Sequence, residues 1–284
     1  MIMNISLECL VPYGALVATI LSLLFTRNFF LQGGCLGLSV VLAWYYGKVD
    51  IEGLGLLAVF GGVGFFFKKA PKEGLLHKIL LLGLVIVGVG FYLHKIPGFH
   101  NDLVLKEVVL SSHAWPFSMY FNFDKVLAAL SLAVALGFHE NQVTPWMTYK
   151  VVTTILGCIG TILVFSLALG YVAWEPKFPS IFWLWALNNL LMVCFAEEFF
   201  FRGFIQKNMT FYTSNKWIPI IVGAILFGIS HYGGGPSYIL LATIAGLFYG
   251  YAYATTGRLL TSMVVHFSLN LTHILLFSYP ALRF

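Results

Sequence analysis

The sequence predicts an all-α fold, a polytopic transmembrane helical bundle of about 8–10 helices, and three observations carry that expectation. Hydrophobic residues form 60% of the chain and charged residues only 10%, where a soluble domain carries about 25% charged residues. Mean hydropathy is +0.89. The apolar residues gather into runs at about 5–26, 29–47, 53–67, 79–94, 125–138, 149–173, 180–204, 217–232, 237–256 and 259–280. Spanning the hydrocarbon core takes about 20 apolar residues, so the third, fourth and fifth runs are short for the task. An outer-membrane barrel is excluded, because its strands alternate apolar and polar residues and these runs do not.

Taken in chain order, the first run starts at Glu8 with no basic residue before it and no small-x-small site after it. It is therefore expected to be a retained helix rather than a cleaved signal peptide. Runs one to four form an N-terminal helical group over residues 1–97. Residues 98–124 break the rhythm with His100, Asn101, Asp102, Lys106 and Glu107 and read as a polar loop or interfacial segment. Residues 125–284 form a second helical group. No internal repeat is visible, which weighs against a transporter built from inverted halves.

If every run spans, the loops on one side hold Arg27, Lys68, Lys69, Lys72, Lys78, Lys150, Lys207, Lys216 and Arg258. The other side holds Lys48, Lys95, Lys106, Lys125, Lys177 and Arg283. The positive-inside rule then places the first set in the cytoplasm and both termini outside. The net charge of +5 is explained by this topology. The basic residues are scattered through loops rather than gathered in a patch, so no nucleic-acid partner is expected. Cys9, Cys35, Cys158 and Cys194 are isolated in apolar sequence without a C-x-x-C pair, so they read as buried thiols rather than as a disulfide framework or a cysteine–zinc site.

In the ninth run Ala242, Gly246, Gly250 and Ala254 recur every four residues, a small-residue stripe that lets helices approach closely. Packing explains this stripe, and no catalytic role is assigned to it. Gly233-Gly234-Gly235-Pro236 after His231 reads as a sharp turn, with glycines that let a substrate backbone come close.

The polar residues of the last four runs are of another kind. An ionisable group at membrane depth costs about 2.5–3.5 kcal/mol or more unless paired or facing a wet cavity. Glu198 and Arg202 are four apart with the acid first, hence neighbours on one helical face in the favourable order. Glu197 lies about 100° round the helix without such a local partner. A desolvated carboxylate beside a like charge suits a general base acting on water. For Glu198 and Arg202 the alternative is a buried ion pair that joins helices. His231 at the end of an apolar run is by itself a common hydrogen-bonded packing residue. His266 and Asn270 share a face at i and i+4, and imidazole and amide N–H groups can stabilise an oxyanion. His273 extends this stripe in a packing or supporting role. Asn188 and Asn189 either line the same cavity or bond across helices.

The ordered set EEFFFR (197–202), FGISH (227–231) and HFSLN (266–270) resembles the CAAX-processing and bacteriocin-processing family of intramembrane proteases, related to the type II CAAX prenyl endopeptidase. The resemblance covers roughly residues 145–284. It implies a hydrolase, an intramembrane endopeptidase of the glutamate type. Glu197 and His231 would activate water, His266 and Asn270 would form the oxyanion hole, and Glu198 and Arg202 would brace the site. The family is also described as metal-dependent, and Glu197, His231 and His266 would then be the zinc ligands. No H-E-x-x-H occurs, and His139-Glu140 lacks the second histidine, so a mechanism without metal or other cofactor is expected. The implied partners are a membrane-anchored or hydrophobic protein or peptide substrate and the lipid bilayer. The implied location is the plasma (inner) membrane of a prokaryote. Two other classes compete: a non-enzymatic membrane scaffold or immunity protein, and a transporter using the carboxylates as a proton relay.

Overall fold

The computed structural model describes residues 6–141 and 143–283. The chain is 70% helical, and its described residues form ten helices that follow the apolar runs. These are α1 (Leu7–Phe25), α2 (Phe29–Tyr45), α3 (Ile51–Lys69), α4 (Leu75–Tyr92) and α5 (Phe123–Leu136). They continue as α6 (Tyr149–Ala168), α7 (Phe182–Tyr212), α8 (Trp217–Ile229), α9 (Gly235–Thr256) and α10 (Leu259–Leu276). Helices α1, α3, α4, α6, α7, α9 and α10 are long and apolar enough to cross a membrane. With the composition, they make this an integral, multi-pass membrane protein.

The short helices differ from those expected. Helices α3 and α4 reach 19 and 18 residues because their flanks join them. Asp50 caps α3 by accepting from the Gly53 N–H at 3.0 Å, and Lys68 and Lys69 lie in its last turn. The shorter apolar helices are α2 and α8. Helix α5, at 14 residues, is short as expected.

The described residues fall into two compact units. One is drawn from the ranges Asn4–Leu103 and Tyr120–Glu140, and so holds α1–α4 and α5. Helix α5 is buried almost all round, from Phe123 through Leu130 and again at Leu132 and Ala133. A helix apolar on every face belongs inside a bundle, so α5 forms the core of this unit although the sequence groups it with the helices after it. Gly137, at φ +64°, ends it in the left-handed conformation that glycine adopts most readily.

The polar segment carries a feature the sequence reading lacked. Asp102–Val108 (β1) and Phe117–Phe121 (β2) pair as a two-stranded sheet. Met119 and Phe121 are buried while Tyr120 between them is exposed, the period-two pattern of a half-buried strand.

The other unit is drawn from Val104–Met119 and Asn141–Phe284 and holds α6–α10. Helices α8 and α9 pack through Gly228: a β-carbon there would stand 2.8 Å from the Ile239 carbonyl oxygen and overlap the Thr243 side chain. Gly228→Ala is therefore expected to lower thermal stability by about 1–3 kcal/mol, the usual cost of overpacking. Thermal unfolding of the detergent-solubilised protein checks this, and an unchanged melting temperature contradicts the close approach.

Candidate active site

Helix α7 is the centre of the site, and its backbone is unusual. Two stretches, Asn188–Cys194 and Phe199–Gln206, are π-helical and flank a single α-turn, Phe195–Glu198. π-Turns inside α-helices occur frequently at functional sites. Here the one regular turn between them carries both glutamates.

Glu198 and Arg202 are wholly buried, and Arg202 Nη1 donates to Glu198 Oε1 at 3.0 Å. The pair inferred from spacing is present. It is embedded in a larger network. Glu198 Oε2 accepts from Ser262 Oγ at 2.8 Å, and Oε1 also lies 2.8 Å from His266 Nδ1. Arg202 Nη2 donates to the Gly246 carbonyl at 3.1 Å, and Gln206 Nε2 donates to the Gly250 carbonyl at 2.9 Å. The small-residue stripe of α9 thus does more than let helices touch, since it exposes the backbone carbonyls that these α7 side chains reach. The guanidinium carbon of Arg202 lies 4.6 Å from the Phe227 ring centre and 5.2 Å from that of Tyr249, within cation–π range.

With Arg202 and Ser262 both donating, Glu198 is an acceptor, so His266 turns its Nδ1–H toward it. The opposite nitrogen, Nε2, lies 4.0 Å from Glu197 Oε2, beyond direct hydrogen-bond range. The imidazole is clamped flat by Tyr249, stacked at 4.5 Å and 15°. His231, just past the end of α8, points Nδ1 at the Phe227 carbonyl 2.7 Å away. This makes Nδ1 the donor and Nε2 the lone-pair side of the neutral ring. Asn270 Nδ2 donates to Asn189 Oδ1 at 3.1 Å. Of the two alternatives for Asn189, the bond across helices is therefore present.

His231, His266 and Asn270 converge on one cavity of about 80 Å³, which Tyr238, Tyr249 and His273 also line. Its other wall is aliphatic, from α6 and α9. That volume suits a few water molecules. Glu197 is not among the lining residues; it stands beside His266 instead. His273 Nε2 lies 3.2 Å from the Ser278 carbonyl, in keeping with a supporting role. In the glycine turn after His231, the Tyr238 ring fills the space beside Gly234, while the space beside Gly233 and Gly235 is open. Tyr238 also meets the His231 ring edge-on at 5.2 Å and stacks on Tyr171 at 5.7 Å. Burial pushes the Tyr171 phenol above its ordinary pKa, so it remains neutral.

Ser262, Tyr238 and Tyr249 are site residues that sequence reasoning missed. Ser262 had a signal, because it precedes His266 by four residues and extends the stripe to Ser262–His266–Asn270. The tyrosines had none. Their rings reach the histidines only through the packing of α9 against α8 and α10.

The site thus joins two carboxylates and an arginine on one helix to two oriented histidines at a cavity of a polytopic membrane protein. Residues 178–272, about a third of the chain, match the family model for type II CAAX prenyl endopeptidases, Rce1-like. This segment holds every site residue from Asn189 to Asn270, and its match is consistent with the CAAX- and bacteriocin-processing family. The match supports a CAAX-type intramembrane protease, hence a hydrolase. No curated protein and no solved structure matches the chain.

Proposed function

We propose that this protein is an intramembrane endopeptidase of the glutamate type, hydrolysing a peptide bond in a membrane-associated protein or peptide. The observation that carries the reading is the fixed orientation of both histidines. Nδ1 of His266 faces Glu198 and Nδ1 of His231 faces the Phe227 carbonyl, which turns Nε2 of each ring away from these two partners. Charge balance adds to it. Glu198 and Arg202 cancel, so the cluster is neutral when Glu197 and His266 share one further proton, and a neutral cluster is the inexpensive one at membrane depth.

The chemistry follows from that shared proton. With it on His266, Glu197 is a carboxylate and takes a proton from water that His231 Nε2 helps to orient. The resulting hydroxide adds to the scissile carbonyl carbon. The oxyanion accepts from His266 Nε2–H and from the Asn270 amide N–H that Asn189 does not take. Collapse of the tetrahedral intermediate breaks the C–N bond, and the leaving amine receives its proton from Glu197. Loss of a single oxyanion donor costs about 10²–10³ in turnover. His266→Ala and Asn270→Ala are each expected to lower kcat on that scale with little change in KM. The assay uses internally quenched peptides in liposomes, ending in Cys-aliphatic-aliphatic-x, with and without a prenyl group. Losses confined to KM overturn the oxyanion roles.

A zinc site would draw on Glu197, His231 and His266. The histidine orientations suit ligation, since ligating histidines hold their other N–H in this way. However, no group of three His, Cys, Asp or Glu side chains among the described residues is placed to hold a metal ion. No step is derived through a metal. Under the glutamate reading, activity survives chelation. Zinc that leaves and returns together with activity, and that His266→Ala removes while Asn270→Ala does not, overturns the mechanism.

A further inference from the structure

We infer that Asn189 is a positioning residue for this reaction, holding the Asn270 carboxamide so that one N–H stays aimed into the cavity. The inference rests on the proposed hydrolysis and adds a residue to it.

The orientation of both amides follows from their partners. Asn189 Oδ1 lies 3.5 Å from Cys194 Sγ and 3.1 Å from Asn270 Nδ2. A thiol S–H is a donor to an amide oxygen, so it is the oxygen of Asn189 that faces this corner. Asn270 must then present its NH₂ group. An amide has two N–H donors; Asn189 takes one, and the second remains with a side chain that lines the cavity beside His231 and His266. Without Asn189, the carboxamide is free to turn its oxygen inward, and a carbonyl oxygen repels the developing oxyanion instead of stabilising it.

The placement belongs to the same zip that sets His266. Three successive positions on one face of α10, Ser262, His266 and Asn270, meet α7: the first two at Glu198 and the third at Asn189. Asn189 and Glu198 are nine positions apart, and at about 100° per residue a regular α-helix would turn them to opposite sides. Asn189 lies in the π-helical stretch Asn188–Cys194, most of which separates it from Glu198. The wider turns of this stretch take out part of that rotation, so both residues come within reach of α10. The backbone irregularity of α7 thereby serves the oxyanion donor as well as the glutamates.

A double-mutant cycle on the fastest-cleaved quenched peptide tests this. Asn189→Ala is expected to lower kcat about tenfold or more, with KM within about twofold of wild type. In the Asn270→Ala background the same change is expected to have no further effect, because a residue acting only through Asn270 has nothing left to position. Asn189→Asp keeps the acceptor oxygen and is expected to recover most of the activity. Thermal unfolding of each variant separates positioning from simple helix packing. Additive losses in the double variant, or a loss carried by KM, overturn the role of Asn189 while leaving the hydrolase reading intact if Glu197→Gln is inactive. A folded wild-type protein that cleaves none of the peptides removes both.

Discussion

Glu197→Gln is expected to reduce peptide hydrolysis by about 10²–10⁴, the range contributed by a positioned general base, while the protein folds and accumulates normally. Glutamine keeps the side-chain shape and loses the site that accepts the water proton. Folding is expected to be spared because the network of Glu198, Arg202, Ser262 and His266, held by bonds of 2.8–3.0 Å, is left intact, and glutamine retains the size and polarity of the side chain that lies 4.0 Å from His266 Nε2. Removing its charge removes the need for the shared proton, so the cluster stays neutral. The matched comparison is Glu198→Gln, which leaves Arg202 buried without a counter-charge and is expected to deplete folded protein. Turnover and melting temperature measured side by side decide the matter. Wild-type cleavage by the Glu197 variant sinks the assignment of the base.

Arg202→Ala is expected to cost about 3–5 kcal/mol of stability, the usual price of removing one partner of a buried pair. Both side chains are wholly buried, so water cannot take over from the lost guanidinium. Ser262 and His266 remain as donors to Glu198, yet neither supplies the permanent positive charge. The substitution also removes the tie to the Gly246 carbonyl and the cation–π contact with Phe227. Arg202→Lys restores charge only. One ammonium does not reproduce a planar fork that reaches a carboxylate on one helix and a carbonyl on another, so only partial recovery is expected. The measurement is the yield of monodisperse protein after membrane extraction, with its thermal unfolding midpoint. Normal yield and an unchanged midpoint contradict the structural role of the pair.

These expectations show how unevenly the site was legible in the sequence. Glu198 and Arg202 could be paired from spacing alone, since contact at i,i+4 is a property of one helix. The same rule put His266 and Asn270 on one face and, applied one step earlier, would have found Ser262. The bond from His266 to Glu198 joins positions 68 apart, and no local rule reaches that far. The same holds for Tyr249 on His266 and for the Gly246 carbonyl under Arg202. The stripe in α9 was read as packing because its residues have no side-chain chemistry; what they offer is their backbone.

The fold divides along the same line. The sequence by itself determined that this is a helical membrane protein, where its apolar runs lie, and which polar residues they carry, because composition and periodicity report directly on burial in lipid. Tertiary structure decided which of those helices are long and which are buried. It placed α5 at the centre of the unit formed with α1–α4, and it paired β1 with β2 within a segment that reads only as polar. It also decided the π-turns of α7, which the residue pattern does not show. These features depend on contacts between residues distant in the chain, and their energies exist only once the helices have packed.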